Sequence, residues 1–127
     1  LDALEGKDLV IYGNGDMDQS LCYVTDMVDG LISLMKTGPE TYLVNLGHDQ
    51  VYKMDDVANR IIEMTNSSSQ IRYEDPLVFL TPKGIPDLKR AKEQLGWIPL
   101  VRLEDGLQKT IDYTIANKEM LQLNHGR

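Results

Sequence analysis

The stretch from Tyr12 to Met35 constrains the fold of this chain most, because a turn signal, an apolar run and a helical repeat follow one another within it. Asn14 and Gly15 both tolerate a positive φ angle, so the pair predicts a tight hairpin turn. The apolar run from Leu21 to Val24 contains residues that favour β-structure and predicts a short buried strand. The polar loop between these two signals, Asp16–Gln19, is expected to be accessible to a ligand.

A helix is expected directly after this strand. The hydroxyl of Thr25 can cap the first turn, and Asp26 places a negative charge where the helix dipole favours one. The helix is therefore predicted from about Asp26 to Lys36, with Thr37-Gly38-Pro39 as its stop signal. Its apolar side chains recur at helical spacing and predict one core-facing stripe: Met27, Val28, Leu31, Ile32 and Met35.

The remainder of the chain alternates strands with helices, which indicates an α/β fold. Strands are predicted at Asp8–Tyr12, Thr41–Leu46 and Gln70–Tyr73, and Leu77–Leu80 is either a strand or a covering segment. Helices are predicted over Met54–Met64, from Asp87 to Leu95, and from Leu103 to Ile115, with Lys53 unable to cap the first and Gly96 in a left-handed stop position after the second. We expect residues 1–120 to form one small domain and residues 121–127 a disordered tail.

Charge and composition exclude several classes of function. The 13 basic and 20 acidic residues give a net charge of −7, which argues against a nucleic-acid partner. An anionic substrate would need local positive groups, because the field of the whole chain repels it. No apolar run approaches the roughly 20 residues that a membrane span needs, and no secretory leader is recognisable at the start. The single cysteine excludes an internal disulfide.

Three blocks of residues follow one another in an order shared with a known enzyme family. The first block comprises Tyr12, Gly13, Gly15, Tyr23, Val24 and Asp26. The second is Asn45-Leu46-Gly47, and the third extends from Pro86-Asp87 through Leu95-Gly96-Trp97 to Tyr113. Together they resemble the C-terminal, substrate-binding part of extended short-chain dehydrogenase/reductases that modify nucleotide sugars, and the UDP-glucuronate decarboxylases most of all.

The resemblance implies a function for a larger parent enzyme. Such a parent would oxidise the sugar of a nucleotide sugar at C4 with NAD, promote decarboxylation or proton transfer, and then return the hydride. A dTDP-sugar dehydratase and a 4-epimerase are the near alternatives within the same family. The resemblance also implies a cytoplasmic homodimer with a UDP-sugar as the preferred substrate.

Two motifs of this family are missing from the sequence. No Gly-x-Gly-x-x-Gly turn is present to bring backbone amides close to the pyrophosphate of a dinucleotide. No tyrosine is followed four residues later by a lysine, so the acid/base pair of the family is missing as well. Because the chain also begins at Leu1, we expect a truncated chain that binds no NAD and has no catalytic residues or activity by itself.

Four residues are the candidates for substrate binding: Tyr12, Gln19, Lys83 and Gly84. The resemblance places Gln19 and Gly84 where the family has arginines that hold the nucleotide part of the substrate. Glutamine can hydrogen-bond a phosphate oxygen but supplies no charge, and Lys83 could partly replace the second arginine as a point charge. The alternative for Gln19 and Lys83 is a solvated surface position. The loss of both arginines leaves open a second function, a non-catalytic binding or regulatory module.

Other reactive side chains are expected to be structural. His48 and Asp49 are too few for a metal site, which needs three or four ligands. Cys22 lacks a recognisable base beside it and is expected to be an inert thiol. Asp55 is expected to favour the dipole of its helix, and Trp97 to pack as a core anchor.

Overall fold

A computed structural model of the chain describes residues 1–38, 43–77 and 84–125. The strands are β1 (Leu9–Tyr12), β2 (Asp18–Ser20), β3 (Val51–Lys53) and β4 (Ile71–Glu74). The α-helices are α1 (Val24–Lys36), α2 (Met54–Met64), α3 (Leu103–Ala116) and α4 (Lys118–His125). A short 3₁₀ helix covers Asp2–Glu5, and one π-helical turn covers Ala91–Leu95. This mixture of helices and short strands confirms the expected α/β class.

The chain divides into two compact units built from interleaved segments. Among the described residues, the first unit contains 1–17, 53–77 and 104–125, and the second contains 18–38, 43–52 and 84–103. The expectation of a single domain over residues 1–120 stays a prediction. Residues 121–125, which we assigned to a disordered tail, have a helical backbone as the end of α4.

In the first unit, β1 and β4 form a parallel pair in which Leu9 lies beside Ile71 and Tyr12 beside Glu74. Both strands were predicted from the sequence to within one residue at each end. Helix α2 packs against both strands and buries Val57. The core of this unit consists of small and branched side chains: Ala3, Ile11, Val57, Ala58 and Ile111.

The predicted hairpin at Asn14-Gly15 is wrong. Strand β1 pairs with β4, whereas β2 pairs with β3, so the turn does not join two neighbouring strands. Gly13 and Gly15 have φ angles of 94° and 74°, but Asn14 does not adopt a positive φ. A Cβ atom at position 15 would overlap the carboxylate of Asp55. Glycine is therefore required there for a close approach to α2 as well as for its backbone angle.

The predicted strand from Leu21 to Val24 is also wrong. Val24 is the first residue of α1, and the strand in this region is β2, which precedes the apolar run. The residue before the helix is Tyr23, whose side chain makes no capping hydrogen bond, so the predicted cap at Thr25 is wrong by two positions. The early start brings Asp26 into the first turn, where its carboxylate meets another segment of the chain.

Helix α1 does not bury the apolar stripe that the sequence predicted. Its buried residues are Asp26 and Gly30, while Met35 is 84% exposed. Val28, Leu31 and Ile32 are exposed as well. The buried face is the one that allows a close approach, because a Cβ at Gly30 would lie 2.9 Å from Leu46 Cδ2 and 3.0 Å from Trp97 Cε2.

Asp26 joins α1 to the segment that follows Gly96. Its carboxylate accepts hydrogen bonds from the backbone amides of Leu100 at 3.0 Å and Val101 at 2.9 Å. Its backbone carbonyl accepts a third from the indole Nε1 of Trp97 at 2.9 Å. Trp97 is 6% exposed, so its predicted role as a core anchor is confirmed. Gly96, with a φ of 63°, provides the predicted left-handed turn just before it.

The outcome for the other predicted elements is mixed. Helix α2 has the predicted bounds and, as expected, no side-chain cap at Lys53. Asp87 Oδ1 accepts a hydrogen bond from the amide of Lys89 at 2.9 Å, but the turn Ala91–Leu95 has Arg90 as its N-cap and no side-chain capping bond there. Residues 43–46 are not in a strand, and the rest of the strand predicted at Thr41–Leu46 lies outside the described residues. Most of the segment Leu77–Leu80 lies outside them too.

Replacing Asp26 with alanine should lower the free energy of unfolding by about 2–4 kcal/mol, because two backbone amides lose the charged acceptor that this buried side chain provides. Urea denaturation followed by circular dichroism would measure the change. The matched control is Asp29→Ala, an exposed aspartate on the same helix, which should change the stability by less than about 0.5 kcal/mol. Equal effects of the two substitutions would contradict the assigned role of Asp26.

Candidate functional site

The four predicted site residues fall into different parts of the structure. Tyr12 ends β1 in the first unit and is 42% exposed. Gln19 is the central residue of β2 and is half-buried, and Gly84 is exposed; both belong to the second unit. Lys83 lies outside the described residues. The structure therefore describes the surroundings of Tyr12 in the first unit, and of Gln19 and Gly84 in the second.

In the second unit, the segments that carry Gln19 and Gly84 meet around Gly47. The hydroxyl of Ser20 donates a hydrogen bond to the carbonyl of His48 at 2.5 Å, which ties β2 to the residue after Gly47. A Cβ at position 47 would lie 2.9 Å from Pro86 Cγ. The absence of a side chain at Gly47 thus lets the Gly84–Pro86 segment approach β2.

The Asn45-Leu46-Gly47 block makes a second connection to the same region. The side-chain amide of Asn45 donates a hydrogen bond to the carbonyl of Asp87 at 3.2 Å. Leu46 approaches Gly30 of α1, as described above. The block therefore holds the segment around Asp87 in place through both a polar and a steric contact.

A cleft of about 700 Å³ opens in the first unit. It lies where β1 and β4 end, which is the side of a parallel sheet on which ligands bind in α/β proteins. Its lining residues are Gly13, Asn14, Met17, Tyr73, Glu74, Asp75 and Pro76. Among the described residues, two carboxylates and no basic side chain line it, so this lining suits neutral or cationic groups better than anionic ones.

Asp55 holds Tyr73, the aromatic residue that lines this cleft. The hydroxyl of Tyr73 donates a hydrogen bond to Asp55 Oδ1 at 3.0 Å. This hydrogen bond is the main cause of a raised pKa for Tyr73, because ionisation would place a second negative charge beside the carboxylate. Sequence reasoning treated Asp55 as a helix-dipole acid and missed this contact, which depends on a strand distant in sequence.

A second cleft, of about 440 Å³, lies in the second unit. Its apolar lining consists of Pro86, Leu88, Ile98 and Pro99, and its polar lining of His48, Asp49, Asp87, Lys89 and Lys92. Sequence reasoning missed the two lysines. The local density of positive charge at Lys89, Arg90 and Lys92 within an acidic chain was the signal that could have identified them.

His48 contributes a hydrogen-bond acceptor to this cleft. Its Nδ1 atom accepts a hydrogen bond from the amide of Gln50 at 3.0 Å, so that nitrogen carries no proton. The 3.4 Å approach of Asp49 Oδ1 to the same atom is then a contact and not an ion pair. Within the described part of the chain, no three potential ligands cluster closely enough to hold a metal ion.

Cys22 has the properties expected of an inert thiol. Burial raises its pKa, and the nearby negative charge of Asp26 raises it further. A thiol with a raised pKa holds its proton at neutral pH and is a poor nucleophile. Among the helices that the structure describes, none combines the length and the apolar character required to cross a bilayer.

Comparisons with known proteins connect this geometry to one family. No family model matches the chain. It is 37% identical over 113 residues to UDP-glucuronic acid decarboxylase 1 of Xenopus tropicalis, a match that covers 89% of this chain and 27% of that protein. The chain thus spans about a quarter of the length of this relative.

Solved structures give the same result at the level of the fold. The UDP-glucose 4-epimerase of Thermotoga maritima, solved with UDP-glucose, is 29% identical and matches with a TM-score of 0.85 over 91% of this chain and 37% of its own. The UDP-glucuronic acid 4-epimerase of Bacillus cereus, solved with UDP-glucuronic acid and NAD, is 23% identical. Its TM-score is 0.81, over 88% of this chain and 36% of its own.

The Tyr73–Asp55 contact predicts a pH effect that NMR of labelled tyrosine rings can measure. Tyr73 should ionise at higher pH than an ordinary tyrosine, and Asp55→Ala should return its pKa toward about 10. The hydrogen bond is present while the Tyr73 hydroxyl is protonated, and it is lost as the pH rises through the raised pKa of Tyr73. Asp56→Ala removes the neighbouring carboxylate of the same helix turn and should leave Tyr73 unchanged. An equal shift in both variants would contradict the assignment.

Proposed function

This chain corresponds to the C-terminal part of an extended short-chain dehydrogenase/reductase, and on that premise we propose that it forms the nucleotide-sugar side of an NAD-dependent sugar-nucleotide enzyme. The observation that carries the proposal is the similarity to a UDP-glucuronic acid decarboxylase along nearly nine-tenths of the chain. The proposed substrate is a UDP-sugar, and decarboxylation is the proposed outcome, with epimerisation and dehydration as the alternatives within the family.

The proposal divides the reaction between this chain and the rest of its parent. NAD would be held outside this chain, which has neither the glycine-rich turn nor the Tyr-x-x-x-Lys pair. The parent would oxidise the sugar at C4, act on the resulting ketone and return the hydride to the sugar. The isolated chain would bind substrate without turning it over. We further propose that the parent is a cytoplasmic homodimer.

Within the chain, Tyr12, Gln19, Lys83 and Gly84 are the proposed substrate contacts. The meeting of β2 with the Gly84–Pro86 segment around Gly47 supports placing Gln19 and Gly84 on one site. Gln19 would donate its amide to a phosphate or ribose oxygen. The exposed backbone at Gly84 leaves room for the substrate, since a Cβ built there has no atom within 4 Å from the described residues beyond its chain neighbours.

One observation favours a different function, a non-catalytic binding or regulatory module. Neither Gln19 nor Gly84 carries a charge, although a diphosphate is most strongly held by paired, charge-assisted hydrogen bonds. A module of this kind would hold a nucleotide weakly and perform no chemistry, even when the whole protein is folded. The two functions differ in turnover by the full-length protein with NAD present.

The double substitution Gln19→Arg with Gly84→Arg tests the proposed contacts. If both positions face the diphosphate, the added guanidinium groups should tighten the binding of UDP by roughly tenfold or more. Titration calorimetry with UDP would measure the change, in this chain and in the full-length protein. The control is Gln108→Arg on the exposed surface of α3, which should have little effect. No gain in the double variant, or an equal gain in the control, would count against the two positions.

A further inference from the structure

Helix α1 places its polar and apolar sides in the reverse of the order found in an ordinary surface helix. At about 3.6 residues per turn, Asp26 and Gly30 share one side of the helix, and both are buried within the second unit. A surface helix normally turns its apolar side inward and its polar side to solvent. The opposite side of α1 carries five apolar residues at helical spacing, which we call the outer stripe: Val24, Val28, Leu31, Ile32 and Met35.

The outer stripe is exposed in this chain. Its five residues are between 43% and 84% exposed, although the same helix buries an aspartate. The charged residues of α1 lie outside the stripe, so no charge interrupts its apolar surface: Asp26, Asp29 and Lys36. From Val24 to Met35 the stripe extends for about 16 Å along the helix. A contiguous apolar surface with polar residues beside it marks a contact with another surface, which a single exposed apolar side chain does not.

The length of the relatives indicates what covers the outer stripe. The match to the decarboxylase of Xenopus tropicalis covers 27% of that protein, and the match to the epimerase of Thermotoga maritima covers 37% of that chain. Most of the polypeptide of such an enzyme therefore lies outside the part to which this chain corresponds. In an enzyme of that length, the remaining polypeptide is available to cover an apolar helix face.

A second copy of this chain suits the outer stripe less well. A stripe about 16 Å long on a helix about 10 Å wide is well below the roughly 800 Å² per partner that stable complexes of separate proteins bury. A segment of the same polypeptide needs no such area, because the covalent connection gives it a high effective concentration. Since the stripe offers no polar side chain, the surface that meets it should be apolar as well.

From these observations we propose that the outer stripe is the surface on which the part of the parent enzyme outside this chain packs, through an apolar face of its own. Helix α1 would then lie between two layers, with Asp26 and Gly30 turned to one layer and the outer stripe to the other. The proposal rests on the proposed function in one respect, that this chain is part of a longer enzyme. It accounts for an apolar spacing that is present in the sequence of α1 but is not buried in this chain.

Oxidation of a methionine tests the proposal without any substitution. Met35 is the most exposed residue of the outer stripe, so hydrogen peroxide should convert it readily to the sulfoxide in this chain. In the full-length protein the same residue should react more slowly by roughly tenfold or more, because the packed surface excludes the reagent. Mass spectrometry of proteolytic peptides would measure both rates. Measurements at several concentrations of this chain would detect protection by a second copy.

Substitutions that conserve helix propensity test the same surface through stability. Leucine, methionine and glutamine have similar helix propensities, so Leu31→Gln with Met35→Gln changes the outer stripe and little else. In the full-length protein this double variant should lower the Tm by about 5 °C or more, because two apolar contacts are lost. In this chain both residues are exposed, so the Tm should change by less than about 2 °C.

The matched control for these substitutions lies on the same helix. Asp29→Gln with Lys36→Gln keeps the net charge and changes two exposed positions outside the outer stripe. It should shift the Tm by less than about 2 °C in both proteins. Thermal melts followed by circular dichroism would measure all the shifts.

The outcomes separate this proposal from the proposed function. Equal oxidation of Met35 in the two proteins, or equal Tm changes in the Leu31/Met35 variant, overturns the proposal, and the proposed function stands if the full-length protein turns over a UDP-sugar with NAD. Protection of Met35 together with a loss of stability confined to the full-length protein supports the proposal, even if no sugar nucleotide is turned over. Protection that appears in this chain and grows with its concentration assigns the stripe to a second copy and overturns the proposal as well.

Discussion

The carboxylate of Asp26 is the interaction on which the second unit depends. It accepts two backbone amides, from Leu100 and Val101, at a buried position. A hydrogen bond to a charged acceptor contributes about 1.5–3 kcal/mol, several times the effect of an exposed ion pair. Gly30 lies one helical turn after Asp26 and has no side chain, so the indole of Trp97 can also lie directly against the helix. One charge and one missing side chain thus fix where α1 meets the segment after the π-helical turn.

The sequence predicted best those elements whose signals are local. The β-propensity of β1, the apolar period of α2 and the left-handed glycine at Gly96 depend on neighbours in the chain, and each is found where it was expected. Helix α1 shows the opposite case. Its apolar residues do recur at helical spacing, but the face that packs is the one with Asp26 and Gly30. The segment that follows Gly96 contacts this face through hydrogen bonds to Asp26 and through a close approach to Gly30.

The candidate site was predictable only in outline. Resemblance to a family pointed to Gln19 and Gly84, since their positions in ordered motifs can be matched without a structure. The cleft that contains Lys89 and Lys92 could not be derived in that way. Its walls come from the loop at His48 and from the segments at Pro86 and Ile98, which are distant in sequence and come together only in the fold. A cluster of basic residues was visible in the sequence, but not the surface opposite it.

Gly47 has a consequence for how a site of this kind can change. A Cβ built at this position would lie 2.9 Å from Pro86 Cγ and 4.0 Å from Ser20 Oγ of β2. Any larger residue at position 47 would therefore have to displace Pro86. New ligand preferences would then arise by exchange of side chains on β2 and on the Pro86 segment, since position 47 accepts no side chain without moving Pro86.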